Sequence, residues 1–274
     1  MTQSTPHRNW RFQTVPPKTE AKQSGQILMS YKPYVIEGAG RASRYVCLCD
    51  HAANTVPDFI NNGDLGLPAE DMARHIAFDI GAAGVTRALA ERLDGPAVLS
   101  NFSRLVIDPN RGEDDPTLIM RLYDGTIIHA NAGVDADARE HRLDTMHRPY
   151  HRAVAEVAGG QSDPVLVSVH SFTPQLRGRP QRPWHIGALY AHDRRLADPF
   201  MARLTQEKDL TVGDNQPYSG HLTGDTMDRH ALQHGRPHVL IEIRNDLIST
   251  EEDQQAWADR LAPVLTDSLA ASGL

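Results

Sequence analysis

The sequence predicts a three-layer α/β/α sandwich around a central, mostly parallel (mixed) sheet. Short apolar runs, typical of strands buried on both faces, alternate along the chain with longer amphipathic runs typical of helices. Alternation of this kind places helices on both faces of one sheet. No repeat or shift in composition divides the chain. We therefore expect a single domain over residues 31–274, preceded by a flexible N-terminal arm over residues 1–30.

In the first half of the domain, the compact apolar run Tyr45–Cys49 predicts a strand. Residues 68–93 are predicted to form one helix, because their apolar positions recur at helical spacing and a proline occupies the first turn. Residues 96–102 and 104–107 are expected to form one strand or two short ones. The amphipathic pattern over residues 135–157 predicts a helix that is interrupted at a proline.

In the second half, the continuous β-branched run 165–169 is typical of a strand buried on both faces. Residues 186–190 and 238–243 predict two further strands, and residues 193–206 predict a helix between them. The last helix begins near Ser249-Thr-Glu-Glu, where a Ser/Thr followed by acidic residues forms a capping pattern.

Composition limits the compartment and the partners. The arm is polar and lacks the apolar core of a signal peptide, and no apolar run approaches the roughly 20 residues that span a bilayer. Cys47 and Cys49 are the only cysteines, which excludes a disulfide framework and favours the reducing cytoplasm. The net charge of −7 gives no support for a nucleic-acid or membrane partner. The sequence leaves open whether the protein forms an oligomer.

Reactive polar side chains follow four of the predicted strands. In open α/β sheets, binding sites collect at the carboxyl ends of the strands. These ends carry His51, the segment 103–111, His170 with its neighbours, and the segment 242–246. One strand end with polar residues is weak evidence for an active site, whereas four in one chain predict one.

Two strand-end histidines predict a metal site. His51 and His170 occupy equivalent positions, and neutral imidazole is a good ligand for zinc, which in catalytic sites takes three protein ligands and a water. Asp79 is the candidate for the third ligand. His75, four residues earlier on the same predicted helical face, is a further candidate, although His75 and Asp79 also fit a simple pair on a helix surface. We expect a divalent cofactor, with zinc as the first choice.

Glu242 lies within an apolar run, where a carboxylate must be paired, bound to metal or functional, because burying it alone is costly. Beside a metal site it would act as the general base. The alternative is a salt bridge to Arg244, which lies two residues on and therefore on the same face of a strand.

Arginines near these strand ends predict an anionic substrate. Arg104 and Arg111 are clustered, and a guanidinium binds a carboxylate through two hydrogen bonds. Asp108 and Asn110 could orient Arg111 or help it bind, and Arg104 with Asp108 also fits a structural ion pair. The loop over residues 177–184 adds three arginines, which fit a lid, extra carboxylate contacts or a solvated loop.

An ordered set of motifs resembles the N-formylglutamate amidohydrolase family. Between residues 44 and 262 the chain contains CDHAANTVP, HIAFDIGA, SRLVIDPNR, DGTII, PYH, VHSFTP, RPWHIGALY, DNQPYS and IEIRNDLI. The resemblance implies a fold similar to the zinc carboxypeptidases and aspartoacylases. It also implies an amidase that acts on an N-acylated acidic amino acid and that, in the best-known case, releases formate and glutamate.

The resemblance also implies roles for individual residues. His51, His170 and, as the third ligand, Asp79 match metal-ligand positions, and Glu242 matches a catalytic glutamate. One departure stands out, because zinc carboxypeptidases use His-x-x-Glu, whereas the third residue after His51 is Asn54.

Further residues match positions that would contact the substrate. Asn110 and Arg111 resemble the pair that holds a substrate carboxylate in carboxypeptidases, and Arg104 resembles a second, catalytic anion contact. The motifs DNQPYS and PYH make Tyr218 and His151 candidate substrate contacts, although His151 also fits a packed or capping histidine. Arg244 is a further candidate for the substrate carboxylate.

The sequence therefore predicts a metal-dependent amidohydrolase whose substrate is a small anionic N-acyl amino acid. Two alternatives remain. One is a non-catalytic binding or sensor protein that recognises an acidic ligand. The other is a hydrolase of a different N-acyl amino acid or a small peptide.

Overall fold

Seven strands form one mixed sheet in the computed structural model, which describes residues 31–274. The predicted arm, residues 1–30, lies outside the described residues. The strands of this sheet are β1 (Tyr34–Glu37), β2 (Tyr45–Cys49), β3 (Ala97–Ser100), β6 (Val165–Phe172), β7 (Ile186–Leu189), β8 (Val212–Asp214) and β9 (His238–Arg244). A separate hairpin contains β4 (Leu122–Tyr123) and β5 (Thr126–Ile127).

The strand order is β1-β3-β2-β6-β9-β7-β8. The four central strands, β3, β2, β6 and β9, run parallel, whereas β1 and β7 run antiparallel to their inner neighbours and β8 runs parallel to β7. The helices are α1 (Ala69–Met72), α2 (Ala82–Arg92), α3 (Ala136–Arg142), α4 (Arg148–Gly159), α5 (Ala197–Leu204), α6 (Thr226–His230) and α7 (Glu251–Ser272).

The helices cover both faces of the sheet, which confirms the predicted fold class. Helices α2, α5 and α7 pack together on one face, over alternate strand residues such as Cys49, Val167 and Ile241. Helix α4 contacts β1, β2 and β3 from the other side. Because side chains alternate along a strand, His170 and Glu242 point away from the first helical layer.

The predicted helix over residues 68–93 is wrong, because α1 and α2 are separated by turns. The Asp79 amide donates to the carbonyl of His51 at 2.9 Å, which draws this segment toward the end of β2. Gly81 then starts α2 with a φ of 79°. His75 and Asp79 therefore share no helical face, and His75 Nε2 lies 3.5 Å from Asp124 Oδ2 instead.

Replacing Gly81 by alanine is expected to lower the free energy of unfolding by about 1–3 kcal/mol. An added Cβ would lie 2.2 Å from the carbonyl oxygen of Ile248, at a φ that favours glycine. Chemical denaturation measures the effect. Gly159→Ala is the matched control, because Gly159 ends α4 in open space. Equal stability of the two variants would contradict this account of the helix break.

The predicted strand over residues 104–107 is also wrong. Its side chains are buried, but the carbonyls of Leu105 and Val106 accept hydrogen bonds from Asn131 Nδ2 and Arg142 Nη1, both at 2.7 Å. Side chains thus replace a neighbouring strand. An apolar run of this length resembles a strand because the sequence shows the burial but not the partners of the backbone.

Two further differences concern the helices and strands, and one predicted boundary is confirmed. Pro149 lies in the first turn of α4, where proline is tolerated, and a π-helical turn over residues 143–147 joins α3 to α4. Thr250 caps α7, with Asp253 completing the capping box, so the predicted start is confirmed. The edge strands β1 and β8 and the hairpin, each with strands of four residues or fewer, were not predicted. No helix in the described part of the chain is long and apolar enough to cross a membrane.

Candidate metal centre and active site

A cavity of about 250 Å³ lies at the carboxyl ends of β2, β6 and β9. All but two of the ten predicted site residues line it, namely His51, Asp79, Arg104, Asn110, Arg111, His170, Tyr218 and Glu242. Strands β2, β6 and β9 are neighbours in the sheet and run parallel. Their carboxyl ends therefore meet at one edge and bring His51, His170 and Glu242 together, as expected.

The three predicted metal ligands converge in this cavity. Nδ1 of His170 and Nδ1 of His51 lie 2.9 and 3.3 Å from the same oxygen, Oδ2 of Asp79. All three side chains are buried, and their ligand atoms lie within 4.8 Å of one another. We call this group the His-Asp-His triad.

The other nitrogen of each histidine is bonded to a separate carboxylate. Nε2 of His51 lies 2.7 Å from Asp108, and Nε2 of His170 lies 2.9 Å from Asp50. A histidine that donates its Nε2 proton to a carboxylate presents a lone pair on Nδ1, which is the arrangement typical of metal-bound histidine. Two imidazoles and one carboxylate are a known ligand set for zinc. The triad therefore fits a divalent cation.

The carboxyl groups of Asp79 and Asp50 are ionised although they are buried. Burial opposes ionisation of Asp79, but His51 and His170 outweigh it and hold the pKa of this carboxyl below its ordinary value. The pKa of Asp50 is lowered in the same way, since hydrogen bonding from His170 outweighs its burial. Both carboxylates are thus charged and suited to neighbouring cations.

Asp50 fixes the orientation of His170. Besides His170, it accepts hydrogen bonds from Tyr150 Oη at 2.9 Å, Thr226 Oγ1 at 2.6 Å and Ser168 Oγ at 3.0 Å. These donors come from α4, α6 and β6, so three elements hold one outer carboxylate. The sequence analysis missed this role, although the adjacency of Asp50 to His51 in the motif CDHAAN was a usable signal.

Asp108 links the other histidine to Arg104. Nε and Nη2 of Arg104 donate to Asp108 at 3.1 and 2.7 Å, and Nη1 donates to Asp79 at 3.4 Å. Burial opposes the positive charge of Arg104, but the two carboxylates keep its pKa above the ordinary value. Arg104 thus lines the cavity and also forms the ion pair with Asp108. Asp108 contacts His51 and Arg104 and not Arg111, so the ion pair of Arg104 with Asp108 that the sequence allowed is present, whereas the orientation of Arg111 by Asp108 is not seen.

Glu242 lies beside the triad. It is the register partner of His170 across β6 and β9, and its side chain is buried. Its Oε2 atom has no hydrogen-bond partner within residues 31–274. Burial raises the pKa of Glu242 to about 8. A buried carboxyl with a free oxygen is costly for stability, which indicates a functional role.

Arg244 does not line the cavity, where its predicted role as a substrate contact would place it. Strand β9 ends at this residue, and the guanidinium turns to Asp246 in the following turn, with Nε 2.8 Å from Oδ1. The alternative salt bridge between Arg244 and Glu242 is absent from the ion pairs of the described residues for the same reason.

His151 also does not line the cavity, where its predicted role as a substrate contact would place it. Its Nδ1 atom lies 2.9 Å from Nε2 of His230, and the ring contacts His147. Burial lowers the pKa of His151 well below its ordinary value and that of His230 to about 4. The contacts and the lowered pKa values are those of neutral histidines packed against one another, which is the alternative that the sequence left open for His151.

Arg111, Asn110 and Tyr218 lie at the cavity as predicted. Arg111 donates to Thr117 Oγ1 and to a backbone carbonyl, and it forms no ion pair with a carboxylate of the described residues. Asn110 accepts from the Thr226 amide through Oδ1, which leaves its Nδ2 group available as a donor.

The loop that contains Tyr218 packs closely against β7. An added Cβ on Gly187 would lie 1.9 Å from the carbonyl of Gln216, and one on Gly220 would lie 2.2 Å from the amide of Tyr190. Only glycine permits these approaches, which hold Tyr218 at the cavity.

A third buried carboxyl in the cavity, beside those of Asp79 and Glu242, was missed from the sequence. Asp225 caps α6 by accepting from the Asp228 amide at 2.7 Å, and burial raises its pKa to about 6. It follows no predicted strand, so the strand-end argument could not find it.

Comparison with known proteins agrees with the motifs. The family model described as N-formylglutamate amidohydrolase matches residues 43–249. The gene product Atu2144 from Agrobacterium tumefaciens has a similar structure with a TM-score of 0.83 and 35% identity, covering 89% of this chain and 97% of that one.

The N-formylglutamate amidohydrolase from Ralstonia eutropha JMP134 shares the fold, with a TM-score of 0.60, 23% identity, and coverage of 89% of this chain and 98% of that one. No curated protein matches the sequence significantly. Because the family model covers most of the chain, the chain belongs to the N-formylglutamate amidohydrolase family and is an amide hydrolase.

Proposed function

We propose that the chain is a divalent-metal-dependent enzyme that hydrolyses the amide of an N-formyl or N-acyl acidic amino acid, such as N-formylglutamate. One observation supports this proposal above the others. The unpartnered carboxyl of Glu242 lies beside His170 in the cavity that holds the whole His-Asp-His triad. A binding protein would not need a buried base next to a ligand set for a cation.

The triad would hold the ion, with Asp50 and Asp108 fixing the two imidazoles from outside. A bound divalent ion supplies Lewis acidity toward water and the substrate carbonyl. Zinc is the proposed ion, because two histidines and one carboxylate suit it.

Glu242 is the proposed general base. Its carboxylate accepts a proton as the water oxygen attacks the acyl carbon, and it returns that proton to the nitrogen as the C–N bond breaks. The products are the free carboxylic acid and the amino acid. Burial raises the pKa of Glu242, and a carboxylate with a raised pKa is a stronger base than an ordinary one.

Arg111 and Asn110 are the proposed contacts for the substrate α-carboxylate. Arg111 has no carboxylate partner among the described residues, and the Nδ2 group of Asn110 is a second donor beside it. A guanidinium and an amide together can satisfy both oxygens of a carboxylate. Arg104 has its nitrogens on Asp108 and Asp79, so its proposed catalytic role is to hold these two carboxylates.

Replacing Arg111 by glutamine is expected to raise KM for carboxylate substrates by roughly 10- to 100-fold, because a hydrogen-bonded ionic contact is lost. Steady-state kinetics measure this, and kcat should change much less. Arg121→Gln is the matched control, since Arg121 is exposed and does not line the cavity. An unchanged KM would remove the proposed role of Arg111.

A substrate screen tests the proposed function. Protein purified without chelator is supplied with Zn²⁺ and a panel of N-formyl and N-acetyl amino acids, and release of acid and amine is measured with and without EDTA. We expect hydrolysis that EDTA abolishes. Tight binding of an acidic ligand without hydrolysis of any compound would instead support a sensor protein.

A further inference from the structure

We propose that Arg182 is a second carboxylate-binding residue, which recognises an acidic side chain on the substrate. The inference rests on the proposed function, since it assigns a specificity residue to the rim of the same site. Arg111 would take the α-carboxylate, and Arg182 would take the second acidic group.

The loop after β6 brings Arg182 against residues that line the cavity. The Arg182 amide donates to the carbonyl of Pro174 at 2.8 Å and so closes this loop at its base. The two other arginines of the loop take different positions. Arg177 lies on the hairpin side, where its amide donates to Asp124, and Arg179 is exposed. Arg182 is thus the arginine of this loop that lies against cavity residues.

The guanidinium of Arg182 is held by groups that line the cavity. Nη1 donates to the Thr173 carbonyl and to Tyr218 Oη, each at 3.1 Å. The same guanidinium lies over the rings of Phe172 and Tyr218, with its central carbon 5.6 and 5.0 Å from the ring centroids. Phe172, Thr173 and Tyr218 all line the cavity. These contacts fix the side chain without neutralising its charge.

One edge of this guanidinium is unused. Within residues 31–274, Arg182 forms no ion pair, and its Nε and Nη2 atoms make no hydrogen bond. Those two nitrogens form the edge that binds a carboxylate through two parallel hydrogen bonds. Carbonyl and aromatic contacts therefore hold Arg182 in place and leave its carboxylate-binding edge available.

The charges around the cavity agree with a substrate that has two carboxylates. Arg104 is neutralised by Asp79 and Asp108, whereas Arg111 and Arg182 have no carboxylate partner among the described residues. A substrate with one carboxylate would leave one of these two guanidinium groups unpaired. An N-acyl amino acid with an acidic side chain would pair with both.

The test compares N-formyl-L-glutamate with N-formyl-L-glutamine, which differ only in the charged group of the side chain. Calorimetry on the zinc-loaded protein measures binding of both compounds, and formate release gives kcat/KM for both. The wild type should prefer the glutamate compound. Arg182→Gln should lower this preference by roughly 10- to 100-fold, mainly because the glutamate compound binds more weakly.

Arg179→Gln is the matched control, because it removes the same charge from an exposed position of the same loop. It should leave the preference unchanged. Arg182→Met serves if the glutamine variant is unstable, since a methionine packs on aromatic rings without a charge, and the same loss of preference is expected.

The outcomes separate this inference from the proposed function. Equal binding of the two compounds by the wild type, or an undiminished preference in the Arg182 variants, would overturn the role of Arg182. If neither compound is cleaved but the preference in binding depends on Arg182, the proposed function fails and the inference stands.

Discussion

Replacing Glu242 by glutamine is expected to reduce turnover by roughly 10²- to 10⁴-fold while leaving the metal bound. The substitution keeps the size of the side chain and removes its ability to accept a proton. Glu242 is not one of the three triad residues, so the ligand atoms stay in place. Formate release measures turnover, and the metal content of the purified protein is measured on the same sample.

Asp225→Asn is the matched control for this prediction. Asp225 is the other buried cavity carboxyl with a raised pKa, and asparagine preserves its cap on α6. Its substitution should reduce turnover far less than that of Glu242. Full activity of the Glu242→Gln protein would contradict the proposed base.

Replacing Asp79 by asparagine is expected to weaken metal binding strongly and to abolish activity. Asp79 supplies the charged oxygen shared by His51 and His170. Loss of a partner outside the ligand shell typically lowers metal affinity by roughly 10- to 100-fold, and loss of a ligand should lower it further. Competition with a zinc-binding dye measures the affinity.

The Glu242 variant supplies the comparison for this experiment. Both substitutions turn a buried cavity carboxyl into an amide, yet only the Asp79 variant should lose the metal. If Asp79→Asn binds zinc as tightly as the wild type, Asp79 is not a ligand, and the triad does not form the metal site.

The fold was predictable because its signals are local. The central strands are buried on both faces and rich in β-branched and aliphatic residues, and the capping pattern before α7 is visible in four residues. The break between α1 and α2 was not predictable from periodicity. It depends on the close approach of Gly81 to Ile248, which lies more than 160 positions further along the chain.

The site was predictable where strand ends determine it and unpredictable where side-chain partners do. His51, His170 and Glu242 follow from the rule that carboxyl ends of parallel strands meet. The position of each arginine relative to the cavity depends on the carboxylate with which it pairs, and a sequence does not show these pairs. Arg104 pairs with carboxylates inside the cavity, whereas Arg244 pairs with Asp246 outside it.

Titration of the metal-stripped protein with Zn²⁺, followed by formate release from N-formylglutamate, tests the central claim most directly. We predict no activity in the stripped protein and a linear rise that reaches a plateau at one zinc per chain, since the triad is the one such cluster among residues 31–274. Undiminished formate release from the stripped protein would contradict the claim that this family member hydrolyses amides through a metal held by His51, Asp79 and His170.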